Sequence, residues 1–220
     1  MKKIVFCIPG RTFSYKFVLS WSNLLNTCPP VFKVIPLVRM AYSSSVYTVR
    51  DMCLEGDKNG LASQKPFGGK LDYDYIMWID SDSVFEPEQF KTLLDQMEEN
   101  KNYQILSALY LLEDGRYSAH FDPQISGKNT PVTPKDVKSG LGTKPFKVLY
   151  SGMGFMLVRR GVFESLTYPW FIPFSYAGAG GAQILAGEDA SFCRRAQQAG
   201  FDTWVDPKVI IGHEKPAILK

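Results

Sequence analysis

The stretch that decides the fold is Tyr-Ile-Met-Trp-Ile-Asp-Ser-Asp at residues 75–82, followed by a helix start at Glu86-Pro87-Glu88. The unbroken apolar run at residues 75–79, within a strand predicted at 74–79, is typical of a parallel strand buried on both faces. Proline at the first helical position and acidic residues in the first turn predict a helix from residue 86 onward. The sequence therefore predicts that Asp80 and Asp82 lie at the carboxyl end of a buried strand.

Short apolar runs alternate with helical patterns on both sides of this stretch. Strands are predicted at residues 4–8, 31–38, 74–79 and 105–112, and helices at 17–25 (ended by Cys28-Pro29-Pro30), 46–54 (stopped by Gly56) and 86–97. The order β-α-β-α-β-α-β predicts an α/β fold with a doubly wound, mostly parallel sheet.

The second half of the chain is less regular. We expect a loop or hairpin region at 122–147, one strand at 148–158, a short helix at 161–166, a loop at 176–187, a helix at 190–199 headed by Glu188-Asp189 and closed by Gly200, and strands at 203–205 and 209–213. A chain of 220 residues suits one domain.

Composition, net charge and the length of apolar runs exclude several classes of protein. Apolar residues make up 45% of the chain, enough for a sizeable core, and the net charge of +3 is too small to argue for nucleic acid. The apolar run after Met1 stops at Pro9-Gly10, too short for a signal peptide, and no run approaches the ~20 apolar residues of a membrane span. The four cysteines lack metal-finger spacing. Cys7, Cys53 and Cys193 lie within apolar patterns and are predicted to be buried thiols, so we expect a reducing, cytoplasmic setting.

Asp80 and Asp82 are the first candidate site residues. In an open parallel sheet, ligands bind outside the carboxyl ends of the strands. Two acids one residue apart on an extended segment cannot both cap the same helix, whereas Mn²⁺ or Mg²⁺ takes oxygen ligands and bridges a carboxylate to a diphosphate. Asp-Ser-Asp is also an ordinary turn sequence, so a structural turn is the alternative.

Glu188-Asp189 and His213 extend the candidate site. Acidic residues at a helix start are favourable first-turn residues, but a carboxylate there could also accept a proton from a bound hydroxyl as a general base. His213 follows an apolar strand and Gly212. One interpretation is a histidine packed in the core or exposed at the surface. The other is a nitrogen ligand that suits Mn²⁺ and completes a metal site with Asp82.

Three segments in a fixed order carry a family resemblance: residues 75–82 with the helix start at 86–87, residues 151–160, and residues 187–196 continuing to His213. The chain resembles nucleotide-diphospho-sugar glycosyltransferases of the A-type fold, most like the family 2 group and its small bacterial or phage-type relatives. The resemblance implies one Rossmann-like domain over 1–220, with a nucleotide-binding half at 1–112 and an acceptor-side half at 113–220.

The resemblance also implies roles for the acidic residues. Asp82 and His213 would hold Mn²⁺ or Mg²⁺ on the donor diphosphate, with Asp80 near the ribose and the metal-bound water. Asp189 is similar to the catalytic base of inverting members, and Glu188 would shape the acceptor site.

Other residues would contact the donor. Pro9, Gly10 and Arg11 resemble the loop that meets the nucleoside, and Arg50 matches a position that faces the nucleotide, although Asp51 replaces the family's usual asparagine. The remaining implied substrate-binding residues are Ser81 and the segment Ser151, Gly152, Met153 and Gly154, whose two glycines resemble a close backbone wall against the sugar.

The implied activity is metal-dependent, hexosyltransferase-like transfer of a sugar from a nucleoside diphosphate sugar to the hydroxyl of a carbohydrate or other acceptor, with inversion. A retaining enzyme is the alternative within the family; it could use the same metal site and use Glu188-Asp189 only to hold sugars. One alternative is a non-catalytic module that binds nucleotide sugars. Another is a sugar nucleotidyltransferase, which would need a glycine-rich phosphate loop after the first strand. Residues 9–12, Pro-Gly-Arg-Thr, are poor in glycine for that purpose.

Overall fold

The computed structural model describes residues 2–27, 32–39, 43, 45–127, 130–141, 143–177 and 181–215, with the backbone alone described for 32–39. The expectations for Cys28-Pro29-Pro30 and for a strand start at Val31 lie outside these residues.

The first half follows the predicted order of strands and helices. Its elements are β1 (Lys2–Pro9), α1 (Tyr15–Thr27), β2 (Phe32–Arg39), α2 (Val46–Cys53), a 3₁₀ turn (Pro66–Gly69), β3 (Tyr75–Ile79), β4 (Ser83–Val84), α3 (Pro87–Glu99) and β5 (Ile105–Leu109). The last strand ends three residues before the predicted boundary at residue 112.

The second half contains more elements than the sequence predicted. They are β6 (Ala119–Phe121), α4 (Pro123–Ser126), α5 (Pro134–Lys138), β7 (Phe146–Ser151), β8 (Phe155–Arg159), α6 (Val162–Ser165), β9 (Phe174–Ala177), β10 (Gln183–Ala186), α7 (Glu188–Gln198), β11 (Thr203–Ile210) and β12 (Gly212–His213).

One sheet of eight strands organises the domain, in the order β2-β1-β3-β8-β5-β11-β7-β6. The pairings give six strands one direction and leave β8 and β7 reversed. The predicted α/β fold with a mostly parallel sheet is therefore confirmed, with an antiparallel strand between β3 and β5.

Strand β3 lies inside the sheet, and all five of its residues are buried. Successive side chains of a strand point to opposite faces. Tyr75, Met77 and Ile79 accordingly pack into a core beneath α1 and α3. Ile76 and Trp78 pack into a second core with residues of α2, α6 and α7. Burial on both faces fixes the point where β3 ends and Asp80 emerges.

The single strand predicted at 148–158 is wrong. The chain forms β7 and β8, which lie apart: β7 pairs with β6 and β11, whereas β8 pairs with β3 and β5. The break falls between Ser151 and Phe155. A β-carbon on Gly152 would lie 2.0 Å from the Tyr110 hydroxyl, so Tyr110 occupies the space against which the chain turns.

Two predicted loops also contain regular structure. Residues 122–147 include α4 and α5, whose first turns are capped by the side chains of Asp122 and Thr133. In the loop predicted at 176–187, the described residues include antiparallel strands: β9 (Phe174–Ala177) pairs with β10 (Gln183–Ala186). The strands predicted at 203–205 and 209–213 are largely one strand, β11, which continues to Ile210.

Two other predictions concern membrane-spanning segments and the cysteines. Within the described ranges, no helix combines the length and the apolar character needed to cross a bilayer. Cys7, Cys53 and Cys193 are buried, as the sequence pattern predicted.

Candidate functional site

The candidate site lies where β3 ends and the turn to β4 begins. The Asp80 amide donates to the Gly154 carbonyl at 3.0 Å. The Ser83 hydroxyl donates to the same carbonyl at 2.8 Å. These two hydrogen bonds attach the acidic turn to the turn between β7 and β8, so the first two motif segments meet in space.

A buried arginine links the acidic residues. Arg50 of α2 is 3% exposed, its Nη2 lies 3.0 Å from Asp80 Oδ1, and its Nε lies 3.4 Å from Glu188 Oε1. The guanidinium also lies over the Trp78 ring, 5.5 Å from the centroid. Burial lowers the pKa of Arg50, but the two carboxylates outweigh it and raise that pKa above its ordinary value.

The same arrangement controls Asp80. Burial raises the pKa of Asp80, while the charge of Arg50 opposes that rise. Both of its carboxylate oxygens are within 3.1 Å of Arg50 Nη2. The structure therefore directs Asp80 toward Arg50, whereas the sequence analysis also considered it as a metal ligand.

Asp82 and His213 come together as the sequence analysis expected. Strand β12 pairs with β4, which places His213 opposite Ser83. His213 Nε2 then lies 3.2 Å from Asp82 Oδ2, and Lys215 Nζ lies 2.9 Å from the same oxygen. The ring is also oriented by an edge contact with Tyr110, with centroids 4.9 Å apart.

The contacts of His213 indicate which of its ring nitrogens could bind a cation. Its Nδ1 lies 3.0 Å from the Leu111 carbonyl, which only accepts, so Nδ1 carries a proton. In that tautomer the Nε2 lone pair faces the Asp82 carboxylate oxygen, an arrangement in which the two atoms could share a bound cation. One nitrogen and one oxygen ligand fit Mn²⁺, and the carboxylate also fits Mg²⁺.

The protein side of such a site is small. Among the described residues, no three or more histidine, cysteine, aspartate or glutamate side chains are grouped to hold a metal. A cation here would therefore have at most Asp82 and His213 as protein ligands of these types among the described residues, and its remaining positions would fall to water and a bound diphosphate.

Asp189 is the second residue of α7 and lines two neighbouring cavities. Burial, followed by the negative charge of Glu188, raises the pKa of Asp189 to about 6. The Ala190 amide donates to Asp189 Oδ1 at 2.7 Å and limits this rise. A carboxyl group with this pKa can both accept and release a proton near neutral pH.

The predicted nucleoside loop lies beside the acidic turn. A β-carbon on Gly10 would lie 2.5 Å from the Ser81 β-carbon, so the ends of β1 and β3 are in close contact only because residue 10 is glycine. Pro9 is buried at the end of β1, and Arg11 has an exposed side chain. Nucleoside binding by these residues stays a prediction.

The segment 151–154 has a packing role. Gly152 and Gly154 both face Tyr110, where a β-carbon would lie within 3.0 Å of its side chain. Ser151 and Met153 are buried. Of these four residues, only Gly152 lines a cavity that also contains Asp189. Contact of this segment with a sugar remains a prediction.

Two tyrosines were missed. Tyr110 follows β5 at the carboxyl edge of the sheet and contacts Gly152, Gly154 and His213. The edge rule that selected Asp80 could have found it. Tyr150 lines three cavities, two of which contain Asp189. Its position one residue before the Ser-Gly-Met-Gly segment was the available signal.

Comparison with known proteins supports the resemblance. Residues 69–167 match the sequence profile of a family described as Glycosyl transferase family 2. This range contains Asp80, Asp82 and Gly152, and ends before Asp189 and His213. A search of curated proteins finds no match.

A solved structure described as the crystal structure of A197 from STIV is similar in fold. It is 17% identical, the alignment covers 100% of this chain and 97% of that chain, and the TM-score is 0.56. Together with the sequence match, this likeness confirms the resemblance to family 2 and a fold of the A-type glycosyltransferase class.

Proposed function

We propose that the protein transfers a sugar from a nucleoside diphosphate sugar to an acceptor hydroxyl, with a divalent cation on the donor and Asp189 as the general base. One observation carries the proposal. A carboxyl group with a pKa of about 6 lines two cavities, and Glu188 and Arg50 connect it to Asp80 at the end of β3.

The donor diphosphate would bind beside Asp82 and His213. Mn²⁺ or Mg²⁺ bound by these two residues would stabilise the negative charge of the leaving diphosphate. The orientation of His213 by the Leu111 carbonyl supports this assignment, because it directs Nε2 toward Asp82. The Lys215 ammonium, 2.9 Å from Asp82, balances the same carboxylate until a cation replaces it.

Asp189 would act on the acceptor. In its deprotonated form it accepts the proton of the acceptor hydroxyl as that oxygen attacks the anomeric carbon. The bond from that carbon to the diphosphate breaks as the new glycosidic bond forms, so a single displacement inverts the configuration. General-base catalysis of this kind typically contributes about 10²–10⁴ in rate.

Arg50 would hold the two sides of the site together. The negative charges of Glu188 and Asp80 both raise the pKa of Asp189. The buried guanidinium opposes that rise and fixes Asp80 relative to Glu188. We assign Arg50 a positioning role rather than a direct contact with the nucleotide.

Donor binding is the first test. Calorimetric titration of the full chain with UDP- and GDP-sugars, with and without Mn²⁺, should show binding that depends on the cation. Asp82→Ala should remove the effect of Mn²⁺, while the exposed-residue control Asp95→Asn on α3 should behave as the wild type. Donor affinity that is equal with and without the cation would contradict the metal assignment.

Turnover is the second test. Slow hydrolysis of the bound donor should release nucleoside diphosphate in the wild type. Cation-dependent donor binding with no turnover would instead support a non-catalytic nucleotide-sugar-binding module. The proposed location of the protein is the cytoplasm, a reducing compartment. The buried thiols of Cys7, Cys53 and Cys193 support this proposal.

A further inference from the structure

A third cavity lies beyond the residues that the proposed chemistry uses. We name it the distal groove; its volume is about 670 Å³. Its lining includes His120, Asp122, Tyr150, Tyr176, Arg194 and Gln197. The volume is within the range of pockets that enclose drug-sized ligands, so the groove is larger than one small sugar requires.

The distal groove adjoins the Asp189 region. Tyr150, Tyr176 and Arg194 line both the groove and a smaller cavity that includes Asp189. A ligand that places one hydroxyl at Asp189 can therefore extend past Tyr150 into the groove. These shared lining residues put the groove on the acceptor side of the site.

One wall of the groove is flat and aromatic. The rings of His120 and Tyr150 are stacked, with centroids 5.2 Å apart and an interplanar angle of 21°. Both side chains are partly exposed. An aromatic face with polar groups at its edge suits a ligand that is apolar on one face and rich in hydroxyls at its rim, which is the character of a sugar ring.

Another wall carries a positive charge. The Arg194 guanidinium lies 5.0 Å from the Tyr176 ring centroid and 5.6 Å from that of Phe174. These cation–π contacts restrain the guanidinium. In the part of the chain that the structure describes, no carboxylate forms an ion pair with Arg194.

The acidic residue of the groove is already engaged. Asp122 is 2% exposed. Its Oδ1 accepts from the Gln124 amide at 2.9 Å, and its Oδ2 accepts from Gln197 Nε2 at 3.4 Å. Arg194 is therefore the charge that a ligand would meet, and a planar guanidinium binds oxyanions through paired hydrogen bonds.

We propose that the distal groove binds the second sugar unit of an oligosaccharide acceptor, and that this unit carries an oxyanion recognised by Arg194. The oxyanion is a carboxylate or a sulfate, which share the same geometry of recognition. The assignment of the first unit to Asp189 rests on the proposed function; the binding of the second unit rests on the groove itself.

The test is binding of the full chain to an array of defined oligosaccharides from one to six units. Neutral, uronate-containing and sulfated sets should be compared. The wild type should bind an acidic set from two units upward, and the set that binds identifies carboxylate or sulfate as the oxyanion. Absence of binding to both acidic sets, or equal binding of neutral and acidic sets, would overturn the proposal.

Substitutions on each wall of the groove measure the contribution of that wall to binding. Arg194→Gln should weaken binding of the acidic set about 10- to 100-fold, as expected for one charge-assisted pair of hydrogen bonds. Arg160→Gln is a matched control, because Arg160 also lies over a tyrosine ring, at 5.5 Å, but outside the groove. Tyr150→Phe should retain binding and Tyr150→Ala should lose it, with thermal melting to confirm folding. Unchanged binding by Arg194→Gln would contradict the proposal.

Donor hydrolysis measured on the same variants separates this inference from the proposed function. Arg194→Gln should hydrolyse the donor as the wild type does. Donor hydrolysis without binding to the array would reject the groove alone. Array binding that depends on Arg194, without any donor hydrolysis, would reject the transferase and leave the groove as a carbohydrate-binding site.

Discussion

The guanidinium of Arg50 lies 3.0 Å from the carboxylate of Asp80, and both belong to elements that surround the carboxyl end of the sheet. The same guanidinium reaches Glu188 at 3.4 Å. One side chain from α2 thus connects the end of β3 with the start of α7, two elements that are more than 100 residues apart in sequence. The candidate site depends on this connection for its geometry.

Removal of Arg50 should destabilise the protein strongly. Arg50→Met leaves Asp80 and Glu188 without their shared cation, and breaking a largely buried pair costs about 3–5 kcal/mol. Both carboxylates retain some exposure, so we expect a value near the lower end of that range. Urea unfolding measures it, with Arg160→Met, which breaks an exposed pair with Asp72, as the control. Equal losses for the two variants would argue against the connection.

Asp82 and Lys215 should affect cation binding in opposite directions. Asp82→Ala removes a ligand and should weaken Mn²⁺ binding in the presence of UDP. Lys215→Ala removes an ammonium that lies 2.9 Å from the same carboxylate and should strengthen it. Electron paramagnetic resonance of free Mn²⁺ measures both effects. If the two substitutions shift the affinity in the same direction, the assignment of the site to Asp82 is wrong.

The rate of transfer should depend on the ionisation of Asp189. Its folded-state pKa is raised to about 6, and only the deprotonated carboxylate accepts a proton from the acceptor. The value of kcat/KM should therefore rise about tenfold per pH unit below pH 6 and become constant above it. A profile that is flat from pH 5 to pH 7, with circular dichroism showing an intact fold, would exclude this role.

Gly152 should not accept a side chain. A β-carbon there would lie 2.0 Å from the hydroxyl oxygen of Tyr110, so Gly152→Ala should destabilise the fold by about 1–3 kcal/mol through overpacking. Tyr110→Phe removes the closest atom and should recover part of that loss in the double variant. Denaturant unfolding of the two single variants and the double variant gives the coupling. Additive effects would show that Tyr110 is not the obstacle.

The first half of the chain could be predicted because its signals are local. The apolar run of β3 is buried on both faces, and Pro87 occupies the first position of α3, as the sequence indicated. The positions of Asp80 and Asp82 at a strand end follow from those two features. Their neighbours do not, because Arg50 approaches Asp80 only through packing of α2 on Trp78.

The second half depends on contacts between distant residues. The break between β7 and β8 follows from Tyr110, about 40 residues earlier, which occupies the space beside Gly152. The hairpin β9–β10 brings Tyr176 beneath Arg194, and no local pattern in the sequence predicts that contact. The distal groove was therefore visible only in the folded structure, whereas Asp189 and His213 could be found from motif order.

Release of nucleoside diphosphate from a sugar donor by Asp189→Asn tests the central claim most directly. The substitution keeps the size of the side chain and removes the base. Turnover at pH 7.5 with Mn²⁺ and acceptor should fall by about 10²–10⁴ relative to the wild type, while donor affinity stays the same. Asp95→Asn, which alters an exposed carboxylate on α3, should retain full activity. Wild-type turnover by Asp189→Asn would contradict the account.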